Sequence, residues 1–153
     1  ANKYRRGNFD MIARVLAAEA GEAGVAEFIR RFAFNALIGN GDMHLKNWSV
    51  IYPDKRTAAI APAYDFVATR QYMPDEQLAL NFADTKSFED LDLARFERFA
   101  DRARIPRALV RETLRTTVDR FQTEWDKAGD LALSRELRRV IDEQLKLVPI
   151  ATL

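Results

Sequence analysis

The chain of 153 residues is long enough for one domain of ordinary size, and 48% apolar with 31% charged residues is the composition of a folded protein with a sizeable core. It holds no cysteine and a single histidine, which excludes disulfide scaffolds, thiol nucleophiles, cysteine-ligated zinc and multi-histidine metal centres. With 24 basic against 23 acidic residues the net charge is +1, too small to point to nucleic acid, and no apolar run is long enough to cross a membrane. A cytoplasmic setting without membrane contact is expected.

Asn8 suits the N-cap of a first helix, whose Met11, Ile12, Val15 and Leu16 repeat at helical spacing until Gly21. A second helix from Glu22 places Val25, Phe28, Ile29, Phe32, Ala33 and Leu37 on one face and ends at Gly39. Gly39-Asn40-Gly41-Asp42 tolerates left-handed and turn geometry and reads as a loop. The period then changes. The β-formers Trp48 to Tyr52, a turn over Pro53 to Arg56 and a returning strand over Thr57 to Ala61 predict a short hairpin. Such a hairpin is marginal alone, so it must pack on the helices. Pro62 ends it, Ala63-Tyr64-Asp65-Phe66 comes directly after, and residues 67 to 87 read as irregular.

The remainder is helical. Leu91, Leu93, Phe96, Phe99 and Ala100 form one stripe, and Pro106 suits the first position of the next helix, which runs to Gly129. Ser134 starts a last helix carrying Leu137, Val140, Ile141 and Leu145. The expected fold class is mainly α with one short β-hairpin inserted between helices.

Polar chemistry concentrates in Asn40-Gly41-Asp42-Met43-His44-Leu45-Lys46-Asn47, which contains the sole histidine. A helix feeds this window, a hairpin leaves it, and Asp65 lies just past the hairpin. Phosphoryl transfer suits that order: one loop aspartate orients a hydroxyl and accepts its proton, while an asparagine five residues on and a later aspartate hold Mg²⁺ against phosphates. Oxygen donors without cysteine or a second histidine favour magnesium over zinc or copper. Each part also has a plainer reading. Asn-Gly-Asp is a common turn, a lone histidine is commonly structural, and Asp65 after Pro62 could cap a helix.

The stretch Leu37-Ile38-Gly39-Asn40-Gly41-Asp42-Met43-His44-Leu45-Lys46-Asn47-Trp48-Ser49 strongly resembles the signature of the HipA-like serine/threonine kinases. Ala61-Pro62-Ala63-Tyr64-Asp65-Phe66 resembles their metal-binding segment, and Leu78-Ala79-Leu80-Asn81 with Lys86 is similar to the family's next stretch of chain. The resemblance implies that Asp42 is the catalytic base for a protein serine or threonine. It further implies that Asn47 and Asp65 hold Mg²⁺ on ATP, and that His44, Lys46 and Tyr64 line the nucleotide. It implies a toxin of a bacterial toxin–antitoxin pair, partnered by a HipB-like helix-turn-helix antitoxin. Operator DNA and transcription regulation would be reached through that complex.

None of the six glycines builds a Gly-x-Gly-x-x-Gly or Gly-x-x-x-x-Gly-Lys loop, and no apolar strand carries a lysine. The expectation is that residues 1–153 are the kinase C-lobe, a HipA-like C-terminal domain. The N-terminal nucleotide-binding lobe would be absent from this chain, and the chain alone inactive. The alternatives are a pseudokinase or scaffold lobe, or a DNA-associated regulatory module with a HipB-like antitoxin. For the latter, Arg102, Arg104, Arg107 and Arg111 with Arg135, Arg138 and Arg139 would supply the basic surface.

Overall fold

In a computed structural model the described residues are 7–44, 48, 50–60, 68–130 and 133–153. Four helices account for most of them: α1 (Phe9–Ile38), α2 (Leu93–Ala103), α3 (Arg107–Lys127) and α4 (Arg135–Leu147). Between α1 and α2 lie two antiparallel strands, β1 (Val50–Ile51) and β2 (Ala59–Ile60), with Val50 opposite Ile60 and Ile51 opposite Ala59. The expected mainly helical class with one hairpin is what the structure shows. The strands are shorter than the β-forming runs, and among the described residues no third strand extends the hairpin.

The Asn8 side chain accepts from the Met11 amide at 2.8 Å, satisfying one of the donors that a helix start leaves unpaired. The two helices expected on either side of Gly21 meet directly at that residue and are described together as α1. Gly21, at φ 64 and ψ −161, breaks the helical geometry, and the helix resumes at once on the far side. That backbone region is open essentially to glycine alone, so the residue makes a sharp kink between two helical segments. Pro106 sits one place earlier than expected, as the N-cap of α3, where its fixed φ sets the entry of the chain. Ser134 caps α4, accepting from the Leu137 amide at 3.1 Å.

The second half of α1 is the central support, packed on α3 and also touching β2, α2 and α4. Its Phe28 and Phe32 meet Phe9, Phe82, Phe96 and Phe99, all fully buried. Phe82 is the hub, with ring centroids 4.3 Å from Phe32, 4.5 Å from Phe99 and 4.8 Å from Phe96. It is delivered by a tight turn in which Ala83 and Asp84 both take positive φ, closed by reciprocal bonds between Phe82 and Thr85. The segment around it, irregular from sequence, holds only a single 3-10 turn at Thr69–Gln71 among its described residues, yet buries Leu78, Leu80, Phe82 and Ala83. The chain end is tied to the same core, with Ile150 buried and its amide donating to the Leu91 carbonyl at 3.1 Å.

At the junction of α2 and α3, Arg102, Arg107 and Arg111 pair with carboxylates. Arg107 reaches Asp101 at 2.5 Å, Arg111 reaches Glu97 at 2.6 Å, and Arg102 grips Asp84 with two bonds. On α4, Arg139 pairs with Glu136 and Glu143, while Arg138 covers the Trp125 ring at 5.1 Å. Such pairing makes a solvated face of alternating sign.

Phe82→Ala is expected to lower unfolding stability by about 3–5 kcal/mol, because a cavity would open where several rings converge. Denaturant titration checks this, with the half-buried Phe34→Ala expected to lose less.

Candidate active site

The described part of the polar window, residues 40–44, hangs from the end of α1. Gly39 adopts the left-handed conformation at φ 77, its amide donating to Ala36 O at 3.3 Å and the Asn40 amide to Asn35 O at 2.8 Å. These are the paired bonds of a Schellman ending, which satisfies carbonyls that a helix would otherwise strand. The turn is reinforced by a relay of side chains. Asn35 Nδ2 donates to Arg31 O at 2.8 Å, Asn40 Nδ2 donates to Asn35 Oδ1 at 2.7 Å, and the Asp42 amide donates to Asn40 Oδ1 at 3.0 Å. Asn35 and Asn40 are both buried, so these bonds act where water does not compete.

Thr69 clamps the loop from the other side. Its hydroxyl accepts from the Gly41 amide at 3.0 Å and donates to Gly39 O at 3.3 Å. Gly41 O accepts from the Ala79 amide at 2.9 Å. There is no room for a side chain at Gly41: a Cβ there would lie 2.3 Å from Gln77 O and 2.6 Å from Glu76 Cγ. The glycine is needed for close approach to the 76–77 backbone, and its φ is not positive.

Held in this way, the loop turns the Asp42 carboxylate outward, 55% exposed, while Met43 is buried and His44 is half-buried. His44 Nε2 lies 4.0 Å from Asp42 Oδ1. The structure therefore brings together Asp42 and His44 of the residues expected from sequence. Lys46, Asn47, Tyr64 and Asp65 lie outside the described residues. Among the described residues no group of three or more His, Cys, Asp or Glu side chains could hold a metal ion. The oxygen donors of Asn47 and Asp65 suit a hard cation such as Mg²⁺, and Glu76, an acidic group packed against the loop at Gly41, keeps to that chemistry.

Glu76 has no signal in the sequence, since only folding puts it against Gly41. Its Oε2 is buried without a hydrogen-bond partner among the described residues. Burial first, and then the neighbouring Asp42 charge, push its carboxyl above the usual range. Thr69 is equally unmarked, lying 28 positions from the amide it binds. A groove of about 1040 Å³ between α1, α3 and α4, lined by Phe34, Phe121, Trp125 and Ile141, is reached by none of residues 39–44.

Gly41→Ala is expected to lower stability by about 1–3 kcal/mol, because the clash is with backbone that no rotamer change relieves. Amide exchange at Ala79 should accelerate as its bond to Gly41 O is pushed apart. Gly129→Ala, where a Cβ meets nothing within 4 Å, is expected to stay within about 0.5 kcal/mol of the parent.

Residues 1–125 match the HipA-like C-terminal domain. A Sinorhizobium fredii protein named "Putative kinase Y4dM" is 45% identical over 151 residues, 97% of this chain and 37% of that protein. A second from the same organism, "Putative kinase Y4mE", is 31% identical over 113 residues, 72% of this chain and 26% of that protein. The fold is that of HipA from Shewanella oneidensis MR-1, solved with HipB and its operator DNA, at a TM-score of 0.74 and 22% identity over 98% of this chain. The chain spans little more than a third of the length of that HipA and of Y4dM, at 36% and 37%. It belongs to the family of HipA-like C-terminal domains.

Proposed function

We propose that the chain is the C-terminal catalytic lobe of a HipA-like protein kinase that transfers a phosphoryl group from ATP to a serine or threonine hydroxyl of a protein. The observation that carries this is the Asp42 loop: an outward carboxylate on a backbone fixed by buried hydrogen bonds at the end of a buried helix. Phosphoryl transfer demands positioning above all, and this loop is built for it.

In this reading Asp42 accepts a hydrogen bond from the substrate hydroxyl and takes its proton as the oxygen attacks. Its exposure leaves it open to a protein substrate, and the bonds behind it keep its approach angle from drifting. Asn47 and Asp65 would hold Mg²⁺, which when bound neutralises charge on the phosphates of ATP. His44, Lys46 and Tyr64 would line the nucleotide side of the same loop. The lone lobe would be inactive, since positioning of ATP needs groups from the rest of a kinase.

The named relatives support kinase chemistry at a coarse level, and the HipA structure was solved with HipB and operator DNA. For this protein we infer a HipB-like antitoxin as partner, within a toxin–antitoxin pair. DNA would be reached through that complex, in keeping with the pairing of Arg102, Arg107, Arg111 and Arg139, four of the seven arginines of the candidate basic surface, with carboxylates.

Asp42→Ala in the full-length protein is expected to lower protein phosphorylation by about 10²–10⁴-fold. The fold should be spared, as the side chain is mostly exposed. Phosphate transfer from radiolabelled ATP, measured beside the melting temperature, checks this, and wild-type activity in the variant would contradict the assignment.

A further inference from the structure

Gln144 is wholly buried at 0% exposure, in an α4 whose other buried side chain among the described residues is Ile141, one turn away. A buried primary amide destabilises a core unless its donor and acceptor are both met. Here they are met by the base of the Asp42 loop. Gln144 Nε2 donates to Ala36 O in the last turn of α1 at 2.7 Å, and Gln144 Oε1 accepts from Arg70 Nη1 at 2.5 Å.

Arg70 in turn spans the loop's surroundings. Its backbone amide donates to Gly39 O at 3.2 Å, while Nε and Nη2 both donate to Pro74 O, at 3.1 and 2.9 Å. Pro74 opens the stretch whose Glu76 and Gln77 press on Gly41. Both side chains also close over Gly39, where a Cβ would lie 3.3 Å from Gln144 Cγ and Cδ and 3.4 Å from Arg70 Cδ. One amide and one guanidinium thus tie α4, the end of α1 and the 70–77 segment to the same turn.

We infer that Gln144 and Arg70 are a positioning pair that holds the Asp42 loop in its working geometry, which makes α4 part of the active-site support although the family match stops at residue 125. The inference rests on the reading of Asp42 as the base. Neither residue touches the substrate. They act by fixing where the turn at Gly39 sends the backbone that carries the carboxylate. Charge assistance from the guanidinium makes the Arg70 bonds the stronger ones of the set.

The test uses the full-length protein with Gln144→Leu, which keeps the buried volume and removes both bonds. Protein phosphorylation should show kcat lower by about 10- to 100-fold with KM for MgATP little changed, since a small displacement of a catalytic group costs rate before affinity. Arg70→Lys, which keeps the charge and loses the fork, should fall in the same direction, and the double variant should be no worse than Gln144→Leu, because the two act as a unit. A lower melting temperature with wild-type kcat would overturn the inference and leave Gln144 a core residue only. Should Gln144→Leu not fold, Arg70→Lys decides, and wild-type kcat there overturns the pair. Asp42→Ala is run alongside. Its loss of activity with intact kcat in the other variants defeats only the positioning pair, whereas wild-type activity in Asp42→Ala defeats the base assignment and the pair with it.

Discussion

The left-handed turn at Gly39 is the constraint on which the rest of the site depends. It ends α1 with the Asn35 and Ala36 carbonyls satisfied and sends the chain back across the helix end. A residue with a side chain would be strained there and would also meet Gln144 and Arg70. Two buried asparagines then pass the fixed geometry of the helix on to the Asp42 amide through successive hydrogen bonds. A functional carboxylate can stand exposed on a loop and still be well aimed, because the backbone beneath it is buried and bonded.

The turn is only as rigid as the helix that presents it. The second half of α1 is locked by Phe28 and Phe32 against Phe82, Phe96 and Phe99, an aromatic packing that resists both sliding and rotation. Phe82 comes from the segment after the hairpin, and the same segment supplies Ala79 to the Gly41 carbonyl and Glu76 to its flank. The core and the loop therefore share one strip of chain. Damage to the aromatic hub should reach the loop through residues 76–82.

Much of this is legible in the residues, and the limits have physical reasons. Helical periodicity locates α1 to α4 because each buries an apolar face, and Asn8, Gly39 and Ser134 are readable as caps because capping is local chemistry. Gly21 is readable as the break it makes, although periodicity does not report that the second helical segment starts directly after it. The hairpin's length escapes because β-propensity does not report whether a neighbouring strand exists. In the site, Asp42 and His44 stand two positions apart, so their proximity comes from spacing. Thr69, Glu76, Arg70 and Gln144 carry no local pattern. Each acquires its role through distant contacts, 28 positions away for Thr69 and 108 for Gln144, which only the packing of α1 against α4 and the 69–77 segment creates.

The proposed kinase chemistry turns on a nucleotide–magnesium site formed between the loop beginning at Asp42 and the segment after the hairpin. Its most direct test is the melting temperature of the full-length protein with ATP, with and without Mg²⁺, in wild type and in Asp65→Ala. Ligand at 100 times its dissociation constant stabilises by about 2.7 kcal/mol, which should raise the wild-type melting temperature by a few degrees. A site of this kind requires both Mg²⁺ and Asp65 for that rise. An equal rise without Mg²⁺, or in Asp65→Ala, or no rise at all, would contradict it.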